Sequence, residues 1–154
     1  MIELVKANLD DISNMQKLVQ DKVKEGIILK REDDEVATNI RSYIVVKDNN
    51  KIVGYGALHI HSTSLAEIRS LIIAKEYQGR GIGKRVVQFA LQEALKIGVK
   101  KVLVLTYVAD FFEQLSFKEI PKESIPEHKI WTDCIKCIHF PICNEKSLIY
   151  IVKE

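Results

Sequence analysis

Three alternate glycines constrain the fold of this 154-residue chain more than any other feature of its sequence. Gly79, Gly81 and Gly83 lie between a β-rich run, Ala66–Ala74, and a strongly periodic helical run, Lys84–Ile97. Glycine tolerates positive φ and lets the backbone approach a ligand closely. A loop that leads directly into a helix N-terminus also presents free backbone N–H groups, which attract anions together with the helix dipole. The sequence therefore predicts a strand–loop–helix unit that binds an anionic group.

Spacing excludes two other phosphate-binding loops. A Walker A loop requires a glycine five residues before the Gly-Lys pair and Ser or Thr after it, and Gly83-Lys84 meets neither condition. The dinucleotide fingerprint Gly-x-Gly-x-x-Gly fails because its last position falls on Lys84 or Val86. Arg80 and Arg85 add positive charge around the glycines. We therefore expect a pyrophosphate as the ligand of this loop.

Hydrophobic periodicity and turn residues divide the rest of the chain into strands and helices. Asp48-Asn49-Asn50 has the composition of a hairpin turn, so the strands around it and the strand that follows are expected to form an antiparallel meander. Residues 121–146 read as a long polar loop, which is usually functional or tied by a metal. The expected elements are strands at Glu3–Val5, Tyr43–Lys47, Ile52–His59, Ala66–Ala74, Val102–Leu105, Phe117–Ile120 and Leu148–Val152, and helices from Asn8 to Gly26, within 27–41, at Lys84–Ile97 and at Ala109–Leu115.

Composition excludes several classes of protein. The apolar fraction is 47% and the charged fraction 29%, as in ordinary globular domains. A net charge of +2 without a basic stripe argues against a nucleic-acid partner. No apolar run is long enough to span a membrane, and no signal peptide is apparent, so the cytoplasm is the expected compartment. Neither repeats nor linkers interrupt the chain, and residues 1–154 are expected to form one domain.

The cysteines and histidines offer weaker signals. Cys134-x-x-Cys137-x-His139-x-x-x-Cys143 could supply four ligands to a structural zinc ion, but only one C-x-x-C knuckle is present. Free cysteines that pack as small apolar groups are the alternative, and we assign no metal ligand. His59 and His61 lie near the end of a strand, where we expect them to be exposed and without a catalytic role.

The loop segment Gln78-x-x-Gly81-x-Gly83 matches the Q/R-x-x-G-x-G/A signature, and the chain resembles the GNAT acyl-CoA N-acyltransferases. The resemblance implies an α/β fold in which helices flank a central, mostly antiparallel mixed sheet, with the strands Ala66–Ala74 and Val102–Leu105 parallel and splayed to admit acetyl-CoA. It implies acetyl-CoA as co-substrate, its pyrophosphate on the loop and its pantetheine arm and thioester carbonyl on the strand before it. The cofactor-binding residues implied are Leu71, Ile72, Ile73, Gln78, Gly79, Arg80, Gly81, Ile82, Gly83 and Lys84.

A narrower resemblance is to the short, single-domain N-acetylglutamate synthases. It implies acetyl transfer to the α-amine of L-glutamate, the entry to arginine biosynthesis, and it leaves a homodimer open. The larger synthases carry Arg-x-Ser near the last strand, where this chain has Glu145-Lys146-Ser147. The segments that carry this resemblance are Gly56-Ala57-Leu58-His59, Ala66-Glu67-Ile68-Arg69, Val104-Leu105-Thr106-Tyr107, Phe111-Phe112-Glu113 and Trp131-x-Asp133-Cys134-x-x-Cys137.

Acetyl transfer to an amine requires a base for the ammonium proton and donors for the developing oxyanion. Glu67 resembles the acidic base of many GNAT enzymes, and it shares a strand face with Arg69, so a plain salt bridge is the alternative. The usual general-acid tyrosine is replaced by Phe112. Tyr107 is the candidate substitute, unless the thiolate leaves unaided or takes its proton from water.

We expect cationic side chains to bind a carboxylate of the acceptor, and arginine suits this best because its planar guanidinium binds both carboxylate oxygens. Arg31 resembles the carboxylate-binding arginine of the glutamate synthases, Arg69 is the second candidate and Lys30 a weaker third. Thr106, at the end of a strand, could contact substrate. Two rival hypotheses remain: acetylation of another small amine or a protein N-terminus, and a non-catalytic acyl-CoA sensor.

Overall fold

The computed structural model describes residues 1–125 and 145–152, which contain seven strands and four α-helices. The predicted elements are confirmed within a few residues at their ends. The strands are β1 (Ile2–Lys6), β2 (Tyr43–Asp48), β3 (Lys51–Ile60), β4 (Leu65–Ile73), β5 (Lys101–Thr106), β6 (Lys118–Ile120) and β7 (Lys146–Ile151), and the helices are α1 (Ile12–Lys24), α2 (Asp33–Thr38), α3 (Ile82–Ile97) and α4 (Ala109–Glu113).

The strands form one mixed sheet in the order β1-β2-β3-β4-β5-β7-β6, flanked by helices. The β1–β2, β2–β3, β5–β7 and β6–β7 pairs are antiparallel, and β4–β5 is parallel, as predicted. The last strand, β7, lies between β5 and β6, an insertion that nothing in the local sequence of β7 predicts. The expected class, a mostly antiparallel mixed α/β sheet, is confirmed.

Backbone contacts divide the chain into two compact units. The first comprises Met1–Leu58 and Ser70–Ala90, and the second comprises His59–Arg69 and Leu91–Glu154. The boundaries fall inside β3, β4 and α3. The interpretation of residues 1–154 as one domain therefore stays a prediction.

In the first unit, β2 is buried on both faces. Neighbouring side chains of a strand point to opposite sides, and here each side packs in its own apolar cluster. Val45 packs in a cluster that includes Met15 of α1, and Val46 packs in another that includes Ile82 and Val86 of α3. Val45 and Val46 are both fully buried. In the second unit, the apolar cluster contains Leu65, Leu103 and Ile125, with Leu105, Ile120 and Ile149 packed against it.

Local signals explain where the elements of the first unit begin and end. Asn49 and Asn50 have φ of 50° and 73°, the left-handed pair of a two-residue hairpin turn with the right twist for its strands. Asn8 caps the turn before α1, since its Oδ1 accepts the N–H of Asp10 at 3.2 Å. After α1, Gly26 has φ +76°, as expected for a helix stop.

Candidate active site

The glycine loop leads into α3 as predicted, but the helix begins at Ile82, two residues before the predicted start. Gly79 and Gly81 have φ of +78° and +77°, a conformation that side-chain-bearing residues rarely adopt. The carbonyl of Gly81 accepts the N–H of Arg85 at 3.2 Å, so the first helical hydrogen bond starts within the loop. The backbone N–H groups of the first turn are consequently presented at the glycines, the arrangement that suits an anion.

Gln78 has a structural task within this loop. Its Nε2 donates to the carbonyl oxygen of Ile73 at 3.0 Å, which fastens the loop to the end of β4. Gln78 is one of the residues predicted to bind the cofactor. This contact shows how its side chain also fixes the loop backbone against the strand.

The segment Leu71–Ile73 runs close to two glycines of β3. A Cβ atom at Gly54 would lie 2.9 Å from the carbonyl oxygen of Ile72, and one at Gly56 would lie 3.8 Å from Cα of Leu71. Leu71 and Ile73 are half-buried and pack against the cluster around Val86. The glycines therefore allow the approach that holds the proposed thioester-binding segment in place.

Just before this segment, β4 departs from regular geometry. Its parallel register with β5 runs from Leu65–Lys101 to Ile68–Val104, and Ser70 then has φ +57°. A left-handed conformation is uncommon for a residue other than glycine and is found where surrounding structure enforces it.

Arg31 supplies part of that surrounding structure. Its Nη1 donates to Oγ of Ser70 and to the phenolic oxygen of Tyr43, each at 3.1 Å. Gln16 of α1 donates from Nε2 to the carbonyl oxygen of Arg31 at 2.8 Å, which holds the backbone of the segment. Among the described residues, none accepts a hydrogen bond from Nη2 or Nε of Arg31 or places a carboxylate within 4 Å of it. The edge of a fixed guanidinium that Nε and Nη2 form is therefore available to an anion.

Tyr43 itself is fixed by Tyr55, whose ring meets it edge to face with centroids 5.7 Å apart. Burial, and to a lesser degree the neighbouring Tyr43, raise the pKa of Tyr55 to about 12, while Arg31 opposes the shift. Tyr55 therefore remains a neutral phenol near neutral pH. Sequence reasoning found Arg31 but missed Gln16, Ser70 and the tyrosine pair, because only the fold brings them to it.

In the second unit, Glu67 is the centre of a buried polar cluster. Its Oε1 accepts Nε of Arg69 at 2.9 Å, which confirms the predicted shared face, and lies 2.8 Å from Nε2 of His61. The side chains of Glu67 and His61 are only 8% and 2% exposed. The expectation that His61 is exposed is therefore wrong.

The turn between β3 and β4 explains this burial. The N–H of His61 donates to the carbonyl of Leu65 at 2.9 Å, and Oγ of Ser62 accepts the N–H of Leu65 at 3.1 Å. The closed turn places the imidazole beside the carboxylate. His59 is half-buried, and its ring meets that of His61 with centroids 4.7 Å apart. Two neighbouring histidines followed by a serine-rich turn were the only local signal for this arrangement.

The end of β5 carries the remaining two candidates. Thr106 is buried, and its Oγ1 accepts the N–H of Val108 at 3.0 Å, so its oxygen shapes the turn into α4. The Thr106 hydroxyl hydrogen can still be donated to a ligand. Tyr107 is 58% exposed.

The cysteine cluster, Cys134, Cys137 and Cys143 with His139, lies outside the described residues. Within residues 1–125 and 145–152, no group of three or more His, Cys, Asp or Glu side chains is arranged to hold a metal ion. In the same residues, no helix has the length and apolarity that crossing a bilayer requires.

Similar sequences cover most of the chain. The profile of the acetyltransferase (GNAT) family matches residues 9–117. An uncharacterized N-acetyltransferase of Chlorobaculum tepidum is 35% identical over 143 residues, which cover 93% of this chain and 92% of that protein. The amino-acid acetyltransferase of Mycobacterium tuberculosis is 30% identical over 118 residues, or 75% of this chain and 67% of that protein.

Similar solved structures share the fold. The N-acetylglutamate synthase of Neisseria gonorrhoeae, complexed with coenzyme A and N-acetyl-glutamate, matches 100% of this chain with a TM-score of 0.86 at 19% identity. This chain spans only 36% of that synthase. A Mycobacterium tuberculosis protein in complex with CoA matches 97% of this chain and 98% of its own length, with a TM-score of 0.80 at 22% identity.

Proposed function

Because the chain belongs to the acetyltransferase (GNAT) family, we propose that it transfers the acetyl group of acetyl-CoA to the α-amine of an amino acid, with L-glutamate as the acceptor. The observation that carries the proposal is Arg31. Its guanidinium is fixed by Tyr43 and Ser70, and the edge formed by Nε and Nη2 has no partner among the described residues. A preorganised guanidinium is suited to the carboxylate that every amino acid carries.

Acetyl-CoA is held, in this proposal, by the two segments of the first unit that flank Ala74. The pyrophosphate binds at the glycine loop and the N-terminal turn of α3, where free backbone N–H groups meet positive charge from Arg80 and Lys84. The backbone of Leu71–Ile73 binds the pantetheine arm and donates to the thioester carbonyl oxygen. That donation stabilises the negative charge that develops on the oxygen during transfer.

The chemical step is a direct transfer within a ternary complex. The acceptor must first lose its ammonium proton, and Glu67 takes it, directly or through water. The amine nitrogen then attacks the carbonyl carbon of the thioester, the N–C bond forms, the C–S bond breaks, and the nitrogen releases its second proton to solvent as the amide forms. Arg69 and His61 fix the carboxylate, since both contact Oε1. No described residue donates to Oε2, which leaves that oxygen to accept the proton.

The CoA thiolate must gain a proton or leave as an anion. We propose Tyr107 as the donor, because it directly follows β5 and the usual tyrosine position holds Phe112. Thr106 is proposed as a substrate contact through its hydroxyl hydrogen. Arg69 is proposed as the second residue that binds the acceptor carboxylate, after Arg31, because its Nε already donates to Glu67.

One observation favours a rival acceptor. Where the larger synthases carry Arg-x-Ser, Lys146 lies 3.6 Å from Glu119, so its charge already has a partner. The side-chain carboxylate of glutamate would then lack a strong cation from this strand. Another small amine, or a protein N-terminus, is therefore the second candidate, ahead of a non-catalytic acyl-CoA sensor.

Four further proposals accompany this one. A role in arginine biosynthesis follows only if glutamate is the acceptor. A cytoplasmic location is supported by the odd, clustered cysteines, which do not resemble a secreted disulfide framework. We also propose that residues 1–154 form a single domain and that the protein forms a homodimer.

The test is release of CoA thiol from acetyl-CoA with a panel of amino acids and small amines, L-glutamate first. Glu67→Gln is expected to lower kcat about 10²- to 10⁴-fold, the usual contribution of a positioned base. Arg31→Ala is expected to raise KM for the acceptor about 10- to 100-fold, the loss of one or two charge-assisted hydrogen bonds. Glu3→Gln and Arg41→Ala, both exposed, are the matched controls and should leave both constants unchanged.

The outcomes separate the hypotheses. Glutamate turnover that falls with both variants supports the proposal. Turnover of another amine alone would keep the acetyltransferase and discard glutamate. Binding of acetyl-CoA without turnover of any acceptor would favour the sensor.

A further inference from the structure

Tyr77, immediately before the glycine loop, is held through its phenol. Its phenol donates to Oδ2 of Asp48 at 2.6 Å, a short hydrogen bond that reaches from the loop to the β2–β3 hairpin. Asp48 is held in turn, because the amino group of Met1 lies 3.1 Å from its Oδ1. The ring of Tyr77 is therefore restrained to one orientation.

The face of that ring carries Arg80. The guanidinium carbon of Arg80 lies 4.9 Å from the ring centroid, within the range of a cation–π contact. Arg80 is otherwise exposed, on a loop between two glycines with positive φ. A long side chain at such a position would sample many rotamers and would lose that freedom on binding an anion. The ring removes much of this freedom before the ligand arrives.

The charge states suit the arrangement at neutral pH. The hydrogen bond from Tyr77, and then that from the N-terminal amine, lower the pKa of Asp48 below its usual 3.8. The same hydrogen bond is the largest cause that raises the pKa of Tyr77. Asp48 is therefore an anionic acceptor and Tyr77 a neutral donor across the physiological range.

We propose that Tyr77 is a positioning residue for acyl-CoA: tethered by Asp48, its ring holds the Arg80 guanidinium beside the glycine loop, ready for the pyrophosphate. This rests on the proposed function, in which the loop binds that group. Tyr77 does not itself contact the ligand. Tyr77 acts through Arg80, so its replacement should change the affinity for acyl-CoA and leave kcat unchanged.

The first experiment is a double-mutant cycle in the affinity for CoA, measured by calorimetry on the full chain. Tyr77→Leu removes the ring and is expected to raise Kd about 2- to 5-fold, the size of an exposed cation–π contact. Tyr77→Phe keeps the ring and loses only the hydrogen bond to Asp48, so it should recover part of that loss. In an Arg80→Gln background, Tyr77→Leu should have no further effect, because the group it positions is gone.

The second experiment compares two acyl donors. With acetyl-CoA, Tyr77→Leu should raise KM about 2- to 5-fold at unchanged kcat. With S-acetyl-pantetheine, which lacks the pyrophosphate, the same substitution should leave both constants unchanged. The melting temperature of each variant, measured in parallel, identifies any that are not folded.

The outcomes of the two experiments decide whether Tyr77 acts through Arg80. Additive losses in the cycle, or an equal loss with both donors, would show that Tyr77 supports the loop in general and would overturn its action through Arg80. An affinity of Tyr77→Phe no better than that of Tyr77→Leu would overturn the role of the ring. If the unaltered protein binds no CoA, the proposed function itself fails, and this inference with it.

Discussion

Replacement of Gly54 by alanine tests whether the Leu71–Ile73 segment is held where acetyl-CoA requires it. The added Cβ would lie 2.8 Å from Cδ1 of Ile73 and 2.9 Å from the carbonyl oxygen of Ile72. The Ile73 methyl is the end of a flexible side chain and can rotate away. The carbonyl is backbone, so it can move only if β4 moves, and this makes the substitution disruptive.

The cost follows from two opposing contributions. Overpacking of a tight interior typically costs about 1–3 kcal/mol. Alanine recovers about 0.4–1 kcal/mol by restricting the unfolded chain. The midpoints of these ranges give a net loss in free energy of unfolding of about 1.3 kcal/mol, which corresponds to a fall of about 3–5 °C in Tm for a chain of this size.

The functional effect should follow from the same displacement. If one backbone hydrogen bond to the pantetheine arm is lost, KM for acetyl-CoA should rise about fivefold, since such a bond contributes about 1 kcal/mol. Gly56→Ala is the matched control, because its Cβ would meet Cγ1 of Val86 at 2.9 Å and no backbone atom closer than 3.8 Å. It should lower Tm to a similar degree and leave KM nearly unchanged.

The assays are thermal unfolding followed by circular dichroism and steady-state kinetics with acetyl-CoA varied. The reasoning is refuted if Gly54→Ala leaves Tm and KM unchanged. It is equally refuted if Gly56→Ala produces the larger rise in KM, since the carbonyl of Ile72 would then not be the sensitive contact.

Three further predictions concern stability and the acceptor site. Asp11→Ala should lower the free energy of unfolding, measured by urea denaturation, by about 2 kcal/mol. The reason is that the Asp11 carboxylate caps a helix turn and lies 3.0 Å from Nζ of Lys47. A loss below about 0.5 kcal/mol would contradict this. Since the folded pKa of Tyr55 is about 12, the folded state binds this proton more tightly than the unfolded chain, so stability should fall as pH rises from about 10 to about 12, by at most roughly 2.7 kcal/mol. Tyr55→Phe should remove this loss, and an unchanged alkaline profile of Tm would refute the assignment. Ser70→Ala should raise KM for the acceptor about 2- to 5-fold, because it releases the Arg31 guanidinium. Ser70→Gly relieves the positive φ, so its free energy of unfolding should be about 1 kcal/mol higher than that of Ser70→Ala. Equal free energies of unfolding would argue against strain at this residue.

Much of the fold was predictable because the signals are local. Asn49 and Asn50 specify a left-handed turn by their own backbone preferences, and Asn8 caps the nearest free N–H groups. The glycines of the loop likewise indicate a left-handed backbone, and Gly79 has φ of +78°. Such features depend on a few consecutive residues, so they can be read without knowledge of the fold.

The candidate site was predictable in part. Glu67 and Arg69 are two residues apart on a strand, and alternation alone brings them together. His61 was misjudged, since its burial depends on how the turn after β3 closes onto β4. A histidine near a strand end gives no sign of this in its sequence neighbourhood.

The sequence by itself determined the strand–loop–helix unit, the hairpin and the type of chemistry that a glycine loop at a helix N-terminus supports. Only the tertiary structure decided the position of β7 between β5 and β6, and the contacts of Arg31 with Ser70, 39 residues along the chain. It also decided the tether from Tyr77 to Asp48, 29 residues apart. The physical reason is range: turn and cap preferences belong to neighbouring residues, whereas these contacts exist only after distant strands have paired and fixed their register.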